Sequence, residues 1–577
     1  KSFIDSTILY TGYSSLKIYN HDLINQPPLA DFSATPTSGQ VPLEVQFTDQ
    51  SVPIEGTITN WSWDFGDGNT STEQNPTHTY ETHNEYTVSL TVVDDNGMGG
   101  TETKEDYITV NYAGPVWYIS NDGADSGQGT IDDPLATMQQ ANISASDGDT
   151  ILFFDGEYIG SILDKKLLIE PYNYDGTNYG VLIHAINVNS DSTIIKNIQI
   201  DLNDTSDSPI GIQINSARGV IIDNCKITNN GIGISIVSVS PSSVEIINCD
   251  ISNNFKQGIY AESGYTELLV DSCVINNNNI DDSEYGSAIG FRVSGGGELT
   301  ITNSEISNNF GGEYSNASAI HCETNGNTLN LDNVTISNNE GDGISPSGQN
   351  SVINNVIIDS NTGIGIQGLN NSTLTNSTIS NNLSGGLSSV SNVSMQNVII
   401  DGNKMIAGTV GTEGNHGAGI WLITNSTLTD VIIRNNSTLI GEGGGIYIWQ
   451  DVENLLLENV TITNNRAFKG GGISTSGGPI EVSDITFSES EKCNIYENYS
   501  LIGTDIWLEN ENHSLNIVLD TFTVATPTDY YAYPLSQMTF DIENHSVDPI
   551  VGDIYVDPTG SNDNSGTSSG SPYKTIS

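Results

Sequence analysis

From about residue 220 to residue 506 the chain repeats one short phrase: Asn-x-x-Ile-x-(Asn)-Asn, a variable stretch, then Gly/Ala-Ile. The isoleucine falls at Ile227, Ile251, Ile275, Ile306, Ile336, Ile358, Ile379, Ile400, Ile433, Ile462 and Ile495. An asparagine follows each by three residues: Asn230, Asn254, Asn278, Asn309, Asn339, Asn361, Asn382, Asn403, Asn436, Asn465 and Asn498. Most repeats carry another three residues before it, as at Asn224, Asn248, Asn303, Asn333 and Asn459. A second apolar residue closes each repeat, from Ile234 and Ile259 to Ile473 and Ile506.

At their shortest the repeats are 21–24 residues apart. That length suits one turn of a solenoid with three short strands. Each isoleucine then stacks on its counterpart in the next coil at about 4.8 Å. Asparagines at the turns can bond the amides above and below. The expectation is a parallel β-helix of about a dozen coils, a rod of roughly 60 Å. Its stability would be a sum of nearest-neighbour terms, and its ends would need caps.

The stretch between the asparagine and the closing residue is short in five coils, as from Asn339 to Ile344. It is longer in the other six, most of all from Asn403 to Ile420. Insertions at one place in a repeat project from one corner of the rod, so that corner is the expected functional face.

Residues 28–111 read as a separate small β domain, with alternating runs such as Tyr86 to Val93. Trp61-Ser-Trp-Asp-Phe-Gly-Asp-Gly68, Asn75-Pro-Thr-His-Thr-Tyr80 and Tyr86-Thr-Val-Ser-Leu-Thr-Val92 together resemble a PKD domain. That resemblance implies an immunoglobulin-like sandwich used as a spacer in extracellular proteins.

Residues 117–158 resemble the start of bacterial and archaeal β-helix domains of the pectin-lyase-like type. Trp117-Tyr-Ile-Ser120 reads as a strand. A short helix is expected from Asp132-Asp-Pro-Leu-Ala-Thr-Met138, with Pro134 in its first turn. Leu135, Met138, Ala141 and Ala145 would share the face that covers the end of the rod. The fold class is therefore all-β: a parallel β-helix solenoid (115–525) preceded by an immunoglobulin-like PKD β-sandwich.

Ile554-Tyr-Val-Asp557 and Ser571-Pro-Tyr-Lys-Thr-Ile576 repeat the motif that opens the helix, so 551–577 is expected to start a second β-helix after a linker at 526–550. Residues 1–25 resemble the last coil of the main helix and are expected to end a preceding one. No signal-peptide pattern follows Lys1. The expectation is a piece of a longer polypeptide.

Composition changes the functional picture. Asp and Glu total 71 while Lys and Arg total only 16, giving a net charge of −55. The charge comes from missing bases. Such a surface repels nucleic acid and anionic membranes. No run of 18 apolar residues suits a membrane span. Cys225, Cys249 and Cys273 fall at one position of three successive coils and read as a buried stack, not a disulfide framework or a thiolate metal site.

The candidate catalytic residues lie in the inserted loops: Glu284, Glu313, Glu413 and His416, with Asp281, Asp282, Glu442 and Lys469 beside them. Tyr285, Tyr314 and Phe468 can stack on sugar rings. The plainer reading of all of these is solvated loop residues. In the PKD-like domain Asp64, Asp67, Asp94 and Asp95 are candidate Ca²⁺ ligands, or simply turn-forming carboxylates. Gly443-Gly-Gly-Ile446 and Gly470-Gly-Gly-Ile473 read as tight corners, since no Lys-Ser/Thr follows.

The leading functional expectation is a structural or adhesive extracellular surface protein, a stiff rod displaying loops. Its partners would be other copies of itself, other surface proteins or glycans. The alternative is a carbohydrate-active enzyme or a glycan-binding module working through the inserted loops.

Overall fold

A computed structural model describes residues 26–547, with breaks at 55, 83, 112–115, 177–178, 203–208, 238–240, 263, 279–287, 312–317, 324–325, 347–349, 406–416, 450–453, 476–483 and 510–513, and also describes Thr559 and Ser561. The segments 1–25 and 551–577, expected to belong to flanking β-helices, lie outside the described residues apart from those last two. Contacts divide the chain into two units, Lys1–Gly114 and Pro115–Ser577.

The first unit is a β-sandwich. Phe32–Thr35, Leu43–Asp49 and Thr77–Tyr80 form an antiparallel sheet. Ser38–Gln40, Gly99–Asn111, Asn84–Asp94, Ile58–Asp64 and Thr70–Ser71 form the other. Strict alternation puts Leu43, Val45 and Phe47 inside and the residues between them in solvent. Aromatic rings fill the core: Phe32 meets Trp63 edge-on at 5.2 Å, and Phe47 lies 5.4 Å from Trp63. Their polar atoms are satisfied, as buried ones must be. Trp63 Nε1 donates to the Glu73 carbonyl at 2.8 Å, and the Tyr80 hydroxyl donates to the Phe65 carbonyl at 3.0 Å.

The second unit is a parallel β-helix with three faces. In a typical coil, Val220–Asp223 lies on the first face, Lys226–Thr228 on the second and Ile232–Val237 on the third. Each strand pairs in parallel with the equivalent strand of the next coil. The marker isoleucines stack in register on the second face from Ile227 through Ile306 and Ile400 to Ile495. The closing markers do the same on the third, from Ile234 to Ile506, and both columns are buried. Among the described residues the third face has 15 strands. Eleven carry the repeated phrase. Three precede it, at Ile162–Leu163, Ile186–Val188 and Ile210–Asn215, and Ala532–Tyr533 follows it.

Two residues per coil turn the corners with left-handed backbone. Asn224, Asn248, Ser272, Asn303, Asn333, Asn355, Asn376, Asn397, Asp430 and Asn459 have φ of 49–56° between the first and second faces. Asn229, Asn253, Asn277, Asn308, Asn338 and Asn381 do so after the second face. Asparagine tolerates this region because its short amide bonds locally, whereas other side chains are strained there.

The asparagine three residues after the isoleucine does something else. It points inward, and from Asn230 to Asn465 it is essentially unexposed. Asn254 Nδ2 donates to Asn278 Oδ1 at 2.8 Å and to the Ile227 carbonyl of the preceding coil at 3.1 Å. Its backbone N–H donates to the same Asn278 Oδ1 at 3.1 Å. The pattern runs without a gap from Asn230 to Asn498. Each rung thus binds two backbone groups that the turn would otherwise leave unmet inside the rod.

The glycine before the closing isoleucine makes room for this ladder. A Cβ on Gly472 would sit 3.0 Å from Asn498 Nδ2 and 2.5 Å from the Asp505 carbonyl. In the last coil of the phrase that glycine is Asp505. No ladder asparagine follows it, and its carboxyl occupies that place. Asp505 Oδ1 accepts from Asn498 Nδ2 at 3.0 Å and from Asn498 N at 3.3 Å, as the next amide would.

The cysteines obey the same column logic. Cys249 Sγ accepts from Cys225 N and Cys273 Sγ from Cys249 N, each at 3.4 Å. Ser304 Oγ continues the row at 3.0 Å. All five cysteines are buried and none is joined in a disulfide.

The helix that packs on the first coils spans Met138–Ser144, later than the sequence suggests. Leu135 is instead tied alongside the strand Val116–Ile119, its N–H donating to the Tyr118 carbonyl and its carbonyl accepting from Ser120 N, both at 2.9 Å, while the Pro134 carbonyl accepts from Ala124 N at 3.1 Å. Thr137 then caps the helix by accepting from Gln140 N at 3.2 Å. Leu135, Met138, Ala141 and Ala145 are buried in the core as expected. At the other end, the segment expected as a linker carries Ala532–Tyr533 and Met538–His545, which pair in parallel with Ile506–Leu508 and Leu515–Phe522 and extend the rod.

The ladder yields two expectations for stability. Asn339→Ala strands the Asn309 amide and N–H and should cost about 3 kcal/mol or more, against about 1 kcal/mol for Asn333→Ala at an exposed corner. Urea denaturation followed by circular dichroism reads the difference, and equal losses would contradict the buried ladder. Burial pushes the Asp505 carboxyl up to about 7 from 3.8. A carboxyl raised in this way contributes stability that is full below about pH 4, declines by about 1.4 kcal/mol for each pH step above it, and is lost once pH passes about 7. Asp342, also pushed up to about 7 by burial, adds to that slope. Asp505→Asn should therefore match the native protein at about pH 4 and exceed it at about pH 8, as measured by melting temperature across pH.

Candidate functional site on the outer third face

Connections on both sides of the third face take up the length differences between coils. The connection before it ranges from the short step between Lys226–Thr228 and Ile232–Val237 to the long one between Lys404–Met405 and Ile420–Thr424. The one after it ranges from Ser391 to Ser394 in one coil to Thr475 to Ile485 in another. Insertions therefore enter at two corners, where the sequence pointed to one, and the third face lies between them.

The residue after each closing isoleucine faces outward, because side chains alternate along a strand. Two groups of such residues stand out. In the earlier coils one column runs Tyr260, Gly290, His321, Ser345 in register. Beside it Glu262 pairs in register with Arg292, whose Nε lies 3.7 Å from Glu323 Oε1. Burial pushes the His321 imidazole down to about 4, helped by the Arg292 charge. His321 Nδ1 is buried and has no hydrogen-bond partner. Burial, then the Glu262 charge, pushes the Tyr260 phenol up to about 12. At neutral pH the group therefore holds a neutral imidazole, a neutral phenol and an ion-paired guanidinium.

In the later coils the column runs Trp421, Tyr447, Ser474, Trp507, Tyr533. Trp421 and Tyr447 rings are 6.3 Å apart, Trp421 and Trp449 5.9 Å, and Tyr447 and Trp449 6.2 Å, all steeply tilted. Trp421 and Trp449 are half-buried and Tyr447 is buried. Trp421 Nε1 and Ser474 Oγ are buried without partners. Lys469 Nζ sits 4.0 Å over the Trp507 ring and 3.1 Å from Glu442 Oε1. The three-glycine corners feed these strands: Gly443 has φ of 69°, and a Cβ there would lie 2.5 Å from the Ile446 carbonyl.

Of the candidates drawn from sequence, Glu442 and Lys469 are brought together as an ion pair. Phe468 is 45 % exposed on the corner beside them, its N–H bonded to the Gly441 carbonyl at 2.9 Å. Asp281, Asp282, Glu284, Tyr285, Glu313, Tyr314, Glu413 and His416 lie outside the described residues, in segments that lead into third-face strands. Sequence reasoning missed Tyr260, Arg292, His321, Trp421, Tyr447, Trp449 and Trp507. The signal available was an aromatic residue directly after the closing isoleucine.

The PKD-like aspartates act in turns. Asp64 Oδ1 accepts from Gly66 N at 2.9 Å and Asp67 Oδ1 from Asn69 N at 3.0 Å, while Asp67 Oδ2 lies 2.7 Å from His78 Nε2. Asp94 Oδ1 accepts from Asn96 N and Met98 N at 2.9 Å, and Asp95 accepts from Thr57 N at 3.2 Å. Among the described residues no three His, Cys, Asp or Glu side chains gather to hold a metal ion. No described helix is long and apolar enough to cross a membrane.

Residues 25–110 match the PKD domain family, and residues 176–329 and 290–437 match the family described as right handed beta helix region. The chain thus carries a PKD domain followed by a right-handed parallel β-helix. Collagenase ColQ1 of Bacillus cereus (strain Q1) is 45% identical over 74 residues, 13% of this chain and 8% of the collagenase. The microbial collagenase of Vibrio alginolyticus is 41% identical over 80 residues, 14% of this chain and 10% of that protein. The chain spans a tenth or less of the length of these relatives. Among solved structures, the PKD1 domain of Vibrio cholerae metalloprotease PrtV is 36% identical and covers 15% of this chain and 98% of its own, with a TM-score of 0.13. Pectate lyase Pel9A is 15% identical, with 65% of this chain and 78% of its own covered and a TM-score of 0.30.

The imidazole of His321 should stay neutral from about pH 8 down to about pH 5, because its charged form is both desolvated and repelled by Arg292. Histidine NMR titration of the native protein and of His321→Gln identifies its resonance. A midpoint near the ordinary value of about 6.5 for that resonance would contradict the burial.

Proposed function

We propose that this chain is part of an extracellular structural or adhesive protein, in which the PKD domain is a spacer and the β-helix is a stiff rod whose third face makes the contacts. The observation that carries the reading is the unbroken buried amide ladder, Asn230 to Asn498, closed by Asp505. It commits each coil of the phrase to its neighbours, which favours a long, stiff carrier. The PKD match supports an extracellular setting, given the spacer role of that family. The deficit of bases supports partners other than nucleic acid. Partners of the expected chemistry are further copies, other surface proteins and glycans.

A second reading, a carbohydrate-active enzyme, is favoured by one observation: a neutral histidine with a free ring nitrogen stands beside an arginine–glutamate pair on an outward face. Incubation with a panel of neutral and acidic polysaccharides separates the two. The scaffold reading expects neither new reducing ends nor unsaturated uronates, together with surface labelling of intact cells by antibody. Clear turnover that is lost in His321→Gln would replace it with the enzyme reading.

A further inference from the structure

We propose that the third face over its later coils binds a neutral polysaccharide lying along the rod axis, with Trp421 and Trp449 as the stacking rings. The inference rests on the reading above that the third face is the contact surface, and it names the ligand class.

A pyranose offers an apolar C–H face and a rim of hydroxyls, so a protein site for it needs ring faces and hydrogen-bond groups together. Both occur here on adjacent rungs. Trp421, Tyr447 and Trp449 form a triangle of tilted rings within 6.3 Å of one another, two of them half-buried. Trp421 Nε1 and Ser474 Oγ lie on the same column with no partner of their own. An unmet buried donor is costly, and a ligand hydroxyl reaching it recovers that cost. Access to them needs neighbouring side chains to shift, which is common when a surface takes up a ligand.

Charge selects among polysaccharides. Lys469 is the cation that the described structure places by these rings, and Glu442 neutralises it at 3.1 Å. The chain as a whole carries 16 bases against 71 acids, so its field opposes the carboxylates of a polyuronate. A neutral chain meets no such penalty. Direction follows from the register. Trp421 and Trp449, the half-buried rings, stand on successive coils about 4.8 Å apart along the axis, while Tyr447, Ser474 and Trp507, which continue the Trp421 column, are buried.

Affinity electrophoresis of the whole chain through gels containing xylan, mannan, mixed-linkage β-glucan, α-glucan or polygalacturonate tests this. At least one neutral polymer should retard the protein and polygalacturonate should not. Trp421→Ala and Trp449→Ala should each weaken retardation about tenfold, the equivalent of one ring contact. Ile159→Ala, at an exposed position on an early coil, should leave it unchanged. Melting curves check that each variant folds. If neither tryptophan variant folds, acrylamide quenching of the native protein decides instead: saturating neutral polymer should shield tryptophan fluorescence. Failure of every neutral polymer to retard or shield, equal retardation of the tryptophan variants, or equal retardation by polygalacturonate would overturn the proposal. Surface location without turnover would still stand in that case, so the two readings fail separately.

Discussion

A carboxamide buried in an apolar interior must meet its hydrogen-bond demand there or destabilise the fold. This β-helix depends on meeting it at each rung of its phrase. The amide nitrogen of each ladder asparagine serves the coil behind and the amide oxygen of the coil ahead. That oxygen in turn takes a backbone N–H at the tightest point of the turn. A single asparagine per coil thereby fixes the register of three strands. A slip by one residue would put the amide outside and turn the marker isoleucine away from the core.

The ladder also determines what the neighbouring positions can be. The residue beside the next amide has room for a methyl group at most, which is why glycine or alanine stands there in the interior coils. The strand that follows keeps its apolar residue inward and turns the next one away from the core. Tyr260, His321, Trp421, Tyr447 and Trp507 occupy those positions. Interior and exterior are thus coupled: the packing column sets the spacing, and the outward column inherits it.

The Ile and Asn spacing made the coil visible in sequence because its period matches the strand register. The aromatic core of the PKD domain was legible through motifs around Trp63 and Tyr80. Less visible were the coils that lack the phrase, such as those with Ile186–Val188 and Ala532–Tyr533, where hydrophobic alternation alone marks the strands. The start of the helix near Met138 was misplaced because a proline suits a first turn and an extended strand partner equally well. The inward direction of Asn230 was also hidden. Asn229 and Asn230 are chemically the same, and only the backbone sign of φ separates a surface corner from a buried rung. The third-face aromatics carry no length signal, because the rings sit on regular strands and not on loop insertions.

Asp505 gives the array a defined terminus. A coil duplicated anywhere between Asn230 and Asn498 brings its own glycine and its own amide, so it lengthens the rod by one strand spacing and leaves both ends untouched. A coil added beyond Asp505 would meet a carboxyl where its asparagine belongs. Growth of the amide ladder is therefore confined to the stretch between Asn230 and Asn498, and its length can change while the coils that flank it, without ladder amides, stay the same.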